Sequence, residues 1–249
     1  MSFLPNFRRR AATPLMIGGH RGHKSGVREN TIPNYRLIAD SGISHIEIDV
    51  QMSADGEAVI YHDFELSEAS PLQGMVRQYS LSELKNAFEI DTLEESLAWC
   101  SSAGMPAALE LKTQLCSMYT DMEKLTQSIA GLLDYYRFYD MCFVFGLDYH
   151  SLYEIKRLAP KTNLGLIVPM VPRDPVKLME DMEAQVYLCY IENLCPPLVE
   201  QLHRRGFTVD GSVINTRSRL EDALALGVDI IESDLPLEML ELYKEITIT

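Results

Sequence analysis

A net charge of −14 over 249 residues argues against a general nucleic-acid surface, because phosphate backbones demand a basic face. With 47% apolar and 23% charged residues the chain can bury a full globular core, which excludes wholesale disorder. No run approaches the roughly 18 apolar residues that span a bilayer, and residues 1–10, with Arg8-Arg9-Arg10, read as a solvated arm rather than a signal peptide. Cys100, Cys116, Cys142, Cys189 and Cys195 lack CxxC spacing and fit reduced, mostly buried thiols better than a disulfide framework or a zinc site. The expected protein is soluble and cytoplasmic, with no nucleic-acid partner and no membrane span.

Short β-rich runs alternate with helical patterns along the whole chain, the signature of a parallel α/β sheet. Strands are predicted at 15–19, 45–51, 107–112, 141–146, 163–168, 186–191, 207–213 and 229–232. Asn30-Thr31 can cap a helix that runs to Asp40 and stops at Gly42. Asp55-Gly56 is a tight-hairpin signal between 45–52 and 58–62, so the second strand should extend into a ribbon that returns His62-Asp63 to the barrel mouth. Residues 64–91 read as loop plus a short helix at 80–87, a modest lid over the site. Thr92-Leu93-Glu94-Glu95 is a capping box, Asp174-Pro175 a cap with proline at the first helical position, and Thr216 opens a helix that ends at Gly227. No linker divides the chain. Eight strands with eight helices predict one (β/α)8 TIM barrel over residues 1–249, with a small hairpin insertion after the second strand.

Active sites of that fold lie at the C-terminal ends of the strands. There Gly18-Gly19-His20-Arg21-Gly22 places a proton carrier beside a planar cation, between glycines that let a ligand approach closely. Glu47 and Asp49 are two apart on one strand and so share a face, and Glu110 and Lys112 repeat that spacing on the next. Converging carboxylates about 4 Å apart repel by roughly 4 kcal/mol at an effective dielectric near 20, which either protons or a hard cation must relieve. Three of them with open positions suit Mg²⁺ or Ca²⁺; Glu110 and Lys112 also suit a plain ion pair. His62, followed by Asp63, supplies a second imidazole, so that one histidine can act as general base and the other as general acid. His23, His45, His150 and His203 have no such company and read as structural or surface residues. No GxSxG elbow is present for a Ser-His-Asp site, and no cysteine has a paired histidine.

Taken in order, His20-Arg21-Gly22, Glu29-Asn30-Thr31, Glu47-x-Asp49, Asp55-Gly56, His62-Asp63, Leu81-Ser82-Glu83-Leu84, Thr92-Leu93-Glu94-Glu95, Leu109-Glu110-Leu111-Lys112, Gly227-Val228-Asp229-Ile230-Ile231 and Ser233-Asp234-Leu235-Pro236 resemble the glycerophosphodiester phosphodiesterase family. The resemblance implies a TIM barrel that hydrolyses a glycerophosphodiester, a small-molecule substrate, to glycerol 3-phosphate and an alcohol. It implies a divalent metal on Glu47, Asp49 and Glu110, an acid–base pair of His20 and His62, phosphate binding by Arg21 and Lys112, and support from Glu29 and Asn30. Three departures fall on the substrate rim: Gly146-Leu147 stand where the family usually has Ser-Phe, Ser212 stands near the place of a frequent tryptophan, and the stretch after His62 lacks an Arg-Thr-Thr-Gly pattern. Two other readings of the same residues are a phospholipase D-like enzyme for lysolipids and a catalytically silent barrel that binds a phosphorylated ligand.

Overall fold

The computed structural model describes residues 14–68, 70–113 and 119–248, so Arg8-Arg9-Arg10 and Cys116 lie outside the described residues. Eight parallel strands, β1 (Met16–Gly19), β2 (His45–Met52), β4 (Ala107–Leu111), β5 (Cys142–Gly146), β6 (Leu164–Ile167), β7 (Val186–Leu188), β8 (Thr208–Asp210) and β9 (Ile230–Ser233), pair in sequence order. The ring closes because β1 pairs with β9 on one side and β2 on the other. The ninth strand, β3 (Ala58–Ile60), returns antiparallel on β2 around Gly56, whose φ of 88° only glycine adopts freely.

Alternation along the strands sorts residues into two cores. Ile46, Ile48, Val50, Leu109, Val144, Leu166 and Ile231 point outward into the layer beneath the helices. Ala108, Phe143, Phe145, Val186, Leu188 and Ile230 fill the barrel lumen. Glu47 and Asp49, alternating with the outward isoleucines, therefore face the lumen, and both are buried.

Helices α3 (Leu93–Ala103), α4 (Tyr119–Tyr135), α5 (Tyr149–Leu158), α6 (Pro175–Asp181), α7 (Pro196–Arg204), α8 (Arg217–Leu226) and α9 (Pro236–Ile248) alternate with the strands. The predicted caps form: Thr92 with Glu95 makes the reciprocal box, while Asp174 and Thr216 accept from the third helical N–H. Gly104 and Gly227 close α3 and α8 in the left-handed conformation. Among the described residues no helix is long and apolar enough to cross a membrane.

The helix expected from Asn30 to Asp40 is shorter. Only Ile32–Tyr35 (α1) is α-helical, capped by Thr31. Beyond it, Leu37, Ile38 and Ser41 donate to carbonyls three residues back, a tighter winding. Asn34 turns its amide to the carbonyls of His23 and Val27, and the Ser41 hydroxyl takes Ile38 O, so side chains compete with the helical ladder. Strands β7 and β8 also end early, the first at a 3₁₀ turn, Ile191–Asn193.

No described residue of 64–91 lines the cavity beside the site. The segment folds with β3 around its own apolar cluster, in which Val59, Tyr61, Leu66, Val76, Leu84 and Ile90 are buried and Leu72 and Phe88 pack against them. Its helix α2 (Leu81–Ala87) starts at a Ser80–Glu83 capping box. Cys100, Cys142 and Cys189 are buried free thiols, whereas Cys195 is exposed.

Candidate active site

Gly18 and Gly19 end β1 because nothing larger fits. A Cβ on Gly18 would lie 2.3 Å from His45 Nε2, and one on Gly19 would lie 2.5 Å from Gly22 O. The chain then turns through left-handed conformations at Arg21 (φ 55°) and Gly22 (φ 101°). That turn aims the Arg21 N–H at Glu47 Oε2, 2.9 Å away. His20 stays in the sheet register, its N–H donating to Ser233 O. Its Nδ1 lies 2.7 Å from Asp234 Oδ1, and Asn215 Nδ2 donates to the other carboxylate oxygen at 2.6 Å. The hydrogen bond from His20 holds the Asp234 carboxyl below its ordinary pKa.

The carboxylates predicted from the two-residue spacing come together. Asp49 and Glu110 are register partners on β2 and β4, and ligand oxygens from Glu47, Asp49 and Glu110 all lie within 4.8 Å of one another. Lys112 Nζ stands between two of them, 2.8 Å from Glu110 Oε1 and 3.0 Å from Asp49 Oδ1. Burial pushes Asp49 up, but Lys112, His62, the Asn30 amide and Arg21 outweigh it and hold that carboxyl below its ordinary value. At Glu47 the pull of Lys112 is outweighed: burial, then Asp49, Glu232 and Glu110, push it well above its ordinary value. Burial also raises Glu110, against the pull of Lys112. The ion pair expected between Glu110 and Lys112 is thus part of the acidic cluster.

Asn30, buried and at φ 56°, donates Nδ2 to Asp49 Oδ2 at 2.7 Å and accepts from Tyr35 OH. Arg21 Nε lies 3.4 Å from the same Asp49 oxygen, and Nη1 donates to Glu29 Oε1 at 3.2 Å. Glu29 is exposed, so it tethers the guanidinium from the rim. His62 is delivered by the hairpin: Gln51 Nε2, buried on β2, reaches the carbonyls of Tyr61, His62 and Asp63. His62 Nδ1 lies 2.6 Å from Asp63 Oδ1, and its ring is near enough to Asp49 and Glu110 to pull both carboxyls down.

A cavity of about 190 Å³ opens beside this cluster. His20, Glu110, Ser212 and Glu232 form its polar side; Phe145, Ile167, Leu188, Tyr190 and Val213 contribute to an apolar wall. Gly146 does not line it; a Cβ there would press on Leu111 O at 3.1 Å.

Sequence reasoning missed a second polar group in the lumen. His45, taken as structural or surface, is buried with Nε2 3.4 Å from Glu232 Oε1. The Ser212 hydroxyl donates to Asp210 Oδ1 and accepts from the Glu232 N–H at 2.7 Å. Burial drives Asp210 well up, lifts Glu232 to about 7 against the opposing charge of His20, and lowers His45 to about 4. The available signal was the period-two continuation of each strand: His45 precedes Glu47 by two, and Glu232 follows Ile230 by two.

Polar side chains gathered at the C-terminal mouth of a closed parallel barrel define a (β/α)8-barrel enzyme. Residues 20–238 match the glycerophosphoryl diester phosphodiesterase family, and the chain belongs to that family of phosphoric diester hydrolases. It is 25% identical over 242 residues to the glycerophosphodiester phosphodiesterase of Caldanaerobacter subterraneus subsp. tengcongensis, covering 92% of this chain and 98% of that one. A crystal structure from Silicibacter pomeroyi DSS-3 superposes with a TM-score of 0.89 over 99% of each chain at 19% identity. A phosphodiesterase from Oleispira antarctica, solved in complex with the product sn-glycerol-3-phosphate, matches with a TM-score of 0.84 and 25% identity over 92% of this chain and 96% of that one.

Proposed function

We propose that this chain hydrolyses glycerophosphodiesters to glycerol 3-phosphate and an alcohol, using a divalent cation, Mg²⁺ or Ca²⁺, held by Glu47, Asp49 and Glu110. The observation that carries the reading is the uncompensated acid in the cluster. Glu47 Oε1 is buried with no hydrogen-bond partner, in a group of three carboxylates whose ion-pairing cations, Lys112 and Arg21, lie on Asp49 and Glu110. Burying a charge without a partner is costly, and all-oxygen donors at this spacing suit a hard divalent ion. When bound, such an ion supplies charge neutralisation and polarisation at the phosphoryl oxygens.

The chain's own residues do the rest. Asp234 fixes His20 by Nδ1, which leaves Nε2 to exchange a proton with the substrate; Asp63 fixes His62 in the same way. One imidazole takes the proton of the attacking oxygen while the other returns one to the departing alkoxide. Lys112 and Arg21 reach from the acidic cluster towards the phosphate oxygens, and Glu29 and Asn30 set their positions. The product complex of the Oleispira antarctica relative supports a glycerol phosphate product. Buried free thiols support a cytoplasmic setting.

Turnover of glycerophosphocholine to glycerol 3-phosphate, abolished by chelator and restored by Mg²⁺ or Ca²⁺, is the expected result. His20→Ala and His62→Ala should each lower kcat by about 10²–10⁴-fold. Activity that survives chelation removes the metal assignment, and both variants within about tenfold of the parent remove the acid–base roles.

A further inference from the structure

The cavity contains a polar group that the hydrolysis above leaves idle. Glu232 lies on β9 as the register partner of Gly18, is 3% exposed, and lines the cavity together with His20, Glu110 and Ser212. Its Oε1 is buried and accepts no hydrogen bond. The neighbouring hydroxyl is already committed, since Ser212 donates to Asp210 and accepts from the backbone of Glu232 itself. His45 Nε2 comes to 3.4 Å because Gly18, register partner of both residues, carries no side chain between them.

An anionic carboxylate here repels a phosphate oxygen, so the phosphoryl group belongs on the side of Arg21, Lys112 and the histidines. What fits Glu232 is a hydrogen-bond donor attached to the phosphate through a short linker, in a space otherwise bounded by Phe145, Ile167 and Leu188. A glycerol phosphate presents such a donor as the hydroxyl on the carbon next to the ester-bearing one.

We propose that Glu232 is a specificity-determining residue that recognises the glycerol hydroxyl of the substrate; this rests on the glycerophosphodiester reading. A carboxyl accepts from a hydroxyl when ionised and still has an accepting oxygen when protonated, so the contact does not depend on one charge state. The apolar wall alone would discriminate weakly against an alcohol of similar shape, whereas a buried polar group left without its partner discriminates strongly.

The test uses three diesters with the metal-loaded protein. Glycerophosphocholine and p-nitrophenylphosphocholine share a headgroup that has no N–H and differ in the glycerol; glycerophosphoethanolamine adds an ammonium. Glu232→Leu is expected to lower the kcat/KM ratio of glycerophosphocholine over p-nitrophenylphosphocholine by about 10–100-fold, chiefly through KM, and Glu232→Gln to recover most of that loss. If the leucine variant does not fold, Glu232→Ala carries the same expectation. A ratio within roughly threefold of the parent in the folded variant overturns the proposal. So does a loss confined to glycerophosphoethanolamine, which would assign Glu232 to an ammonium. Failure of the parent itself to turn over either glycerophosphodiester, while it cleaves the nitrophenyl ester, removes the substrate reading and this inference with it.

Discussion

Lys112→Met isolates the electrostatics of the carboxylate cluster, since it keeps an unbranched side chain of similar bulk and removes the ammonium. Lys112 is 11% exposed, Asp49 fully buried, and the ammonium serves two carboxylates at 2.8 and 3.0 Å. Each contact is worth about 6 kcal/mol in an effective dielectric near 20, before desolvation is set against it. Removing one partner of a buried pair costs about 3–5 kcal/mol net, because the remaining charge has no compensation. For a chain of this size that is a fall of roughly 6–20 °C in Tm. Thermal unfolding followed by circular dichroism, first with chelator and then with excess Mg²⁺ or Ca²⁺, reads both halves of the argument. In chelator the variant should melt well below the parent. Added cation should raise its Tm more than it raises the parent's, because an ion at Glu47, Asp49 and Glu110 substitutes for the missing ammonium. A variant that melts within about 2 °C of the parent in chelator refutes the structural role of Lys112. Equal metal shifts in the two proteins refute the shared site.

Asp234→Asn should lower kcat by about 10–1000-fold with little change in KM, because His20 loses the acceptor that fixes its ring; kinetics within threefold of the parent would show that His20 needs no orienting partner. The contribution of Glu232 to the stability of the metal-free protein should fall with rising pH. That carboxyl is raised from 4.5 to about 7, so its contribution is complete below about 4.5 and lost as the pH rises through 7, about 3 kcal/mol in all. His45, lowered from 6.5 to about 4, acts oppositely and gains stability as the pH rises between those values. Between pH 4.5 and 7 the stability of Glu232→Gln should therefore gain relative to the parent as the pH rises, in denaturant titrations; parallel pH profiles would contradict it.

The barrel was legible because strand and helix periods differ and the caps fall between them, as Thr92, Asp174 and Thr216 illustrate. The carboxylate cluster was legible for a related reason: acids two apart on an otherwise apolar strand share one face, whether that face meets solvent or the lumen. The same rule applied to His45 and Glu232, but each is a single residue whose partner lies on a strand 187 positions away, and pairing across that distance is set by the closing of the ring. Asp234 stood in a quoted motif without a role, since its bond to His20 depends on β1 and β9 meeting. The expected helix to Asp40 failed where Asn34 and Ser41 found backbone partners, a competition that periodicity does not register. Residues 64–91 had too little regular alternation to reveal that they build a core of their own.

The β2–β3 ladder and the Gln51 amide tie the hairpin to the barrel, while the segment beyond it packs on a small cluster of its own, so the molecule has parts of unequal resistance to opening. His20 is hydrogen-bonded into the main sheet, whereas His62 stands at the entrance to the small cluster around Val76 and Leu84. A fluctuation that loosens the small cluster separates the two imidazoles while every strand of the barrel remains paired, so hydrogen exchange in β3 and α2 reports on the state of the site before any exchange in β4 or β5 does.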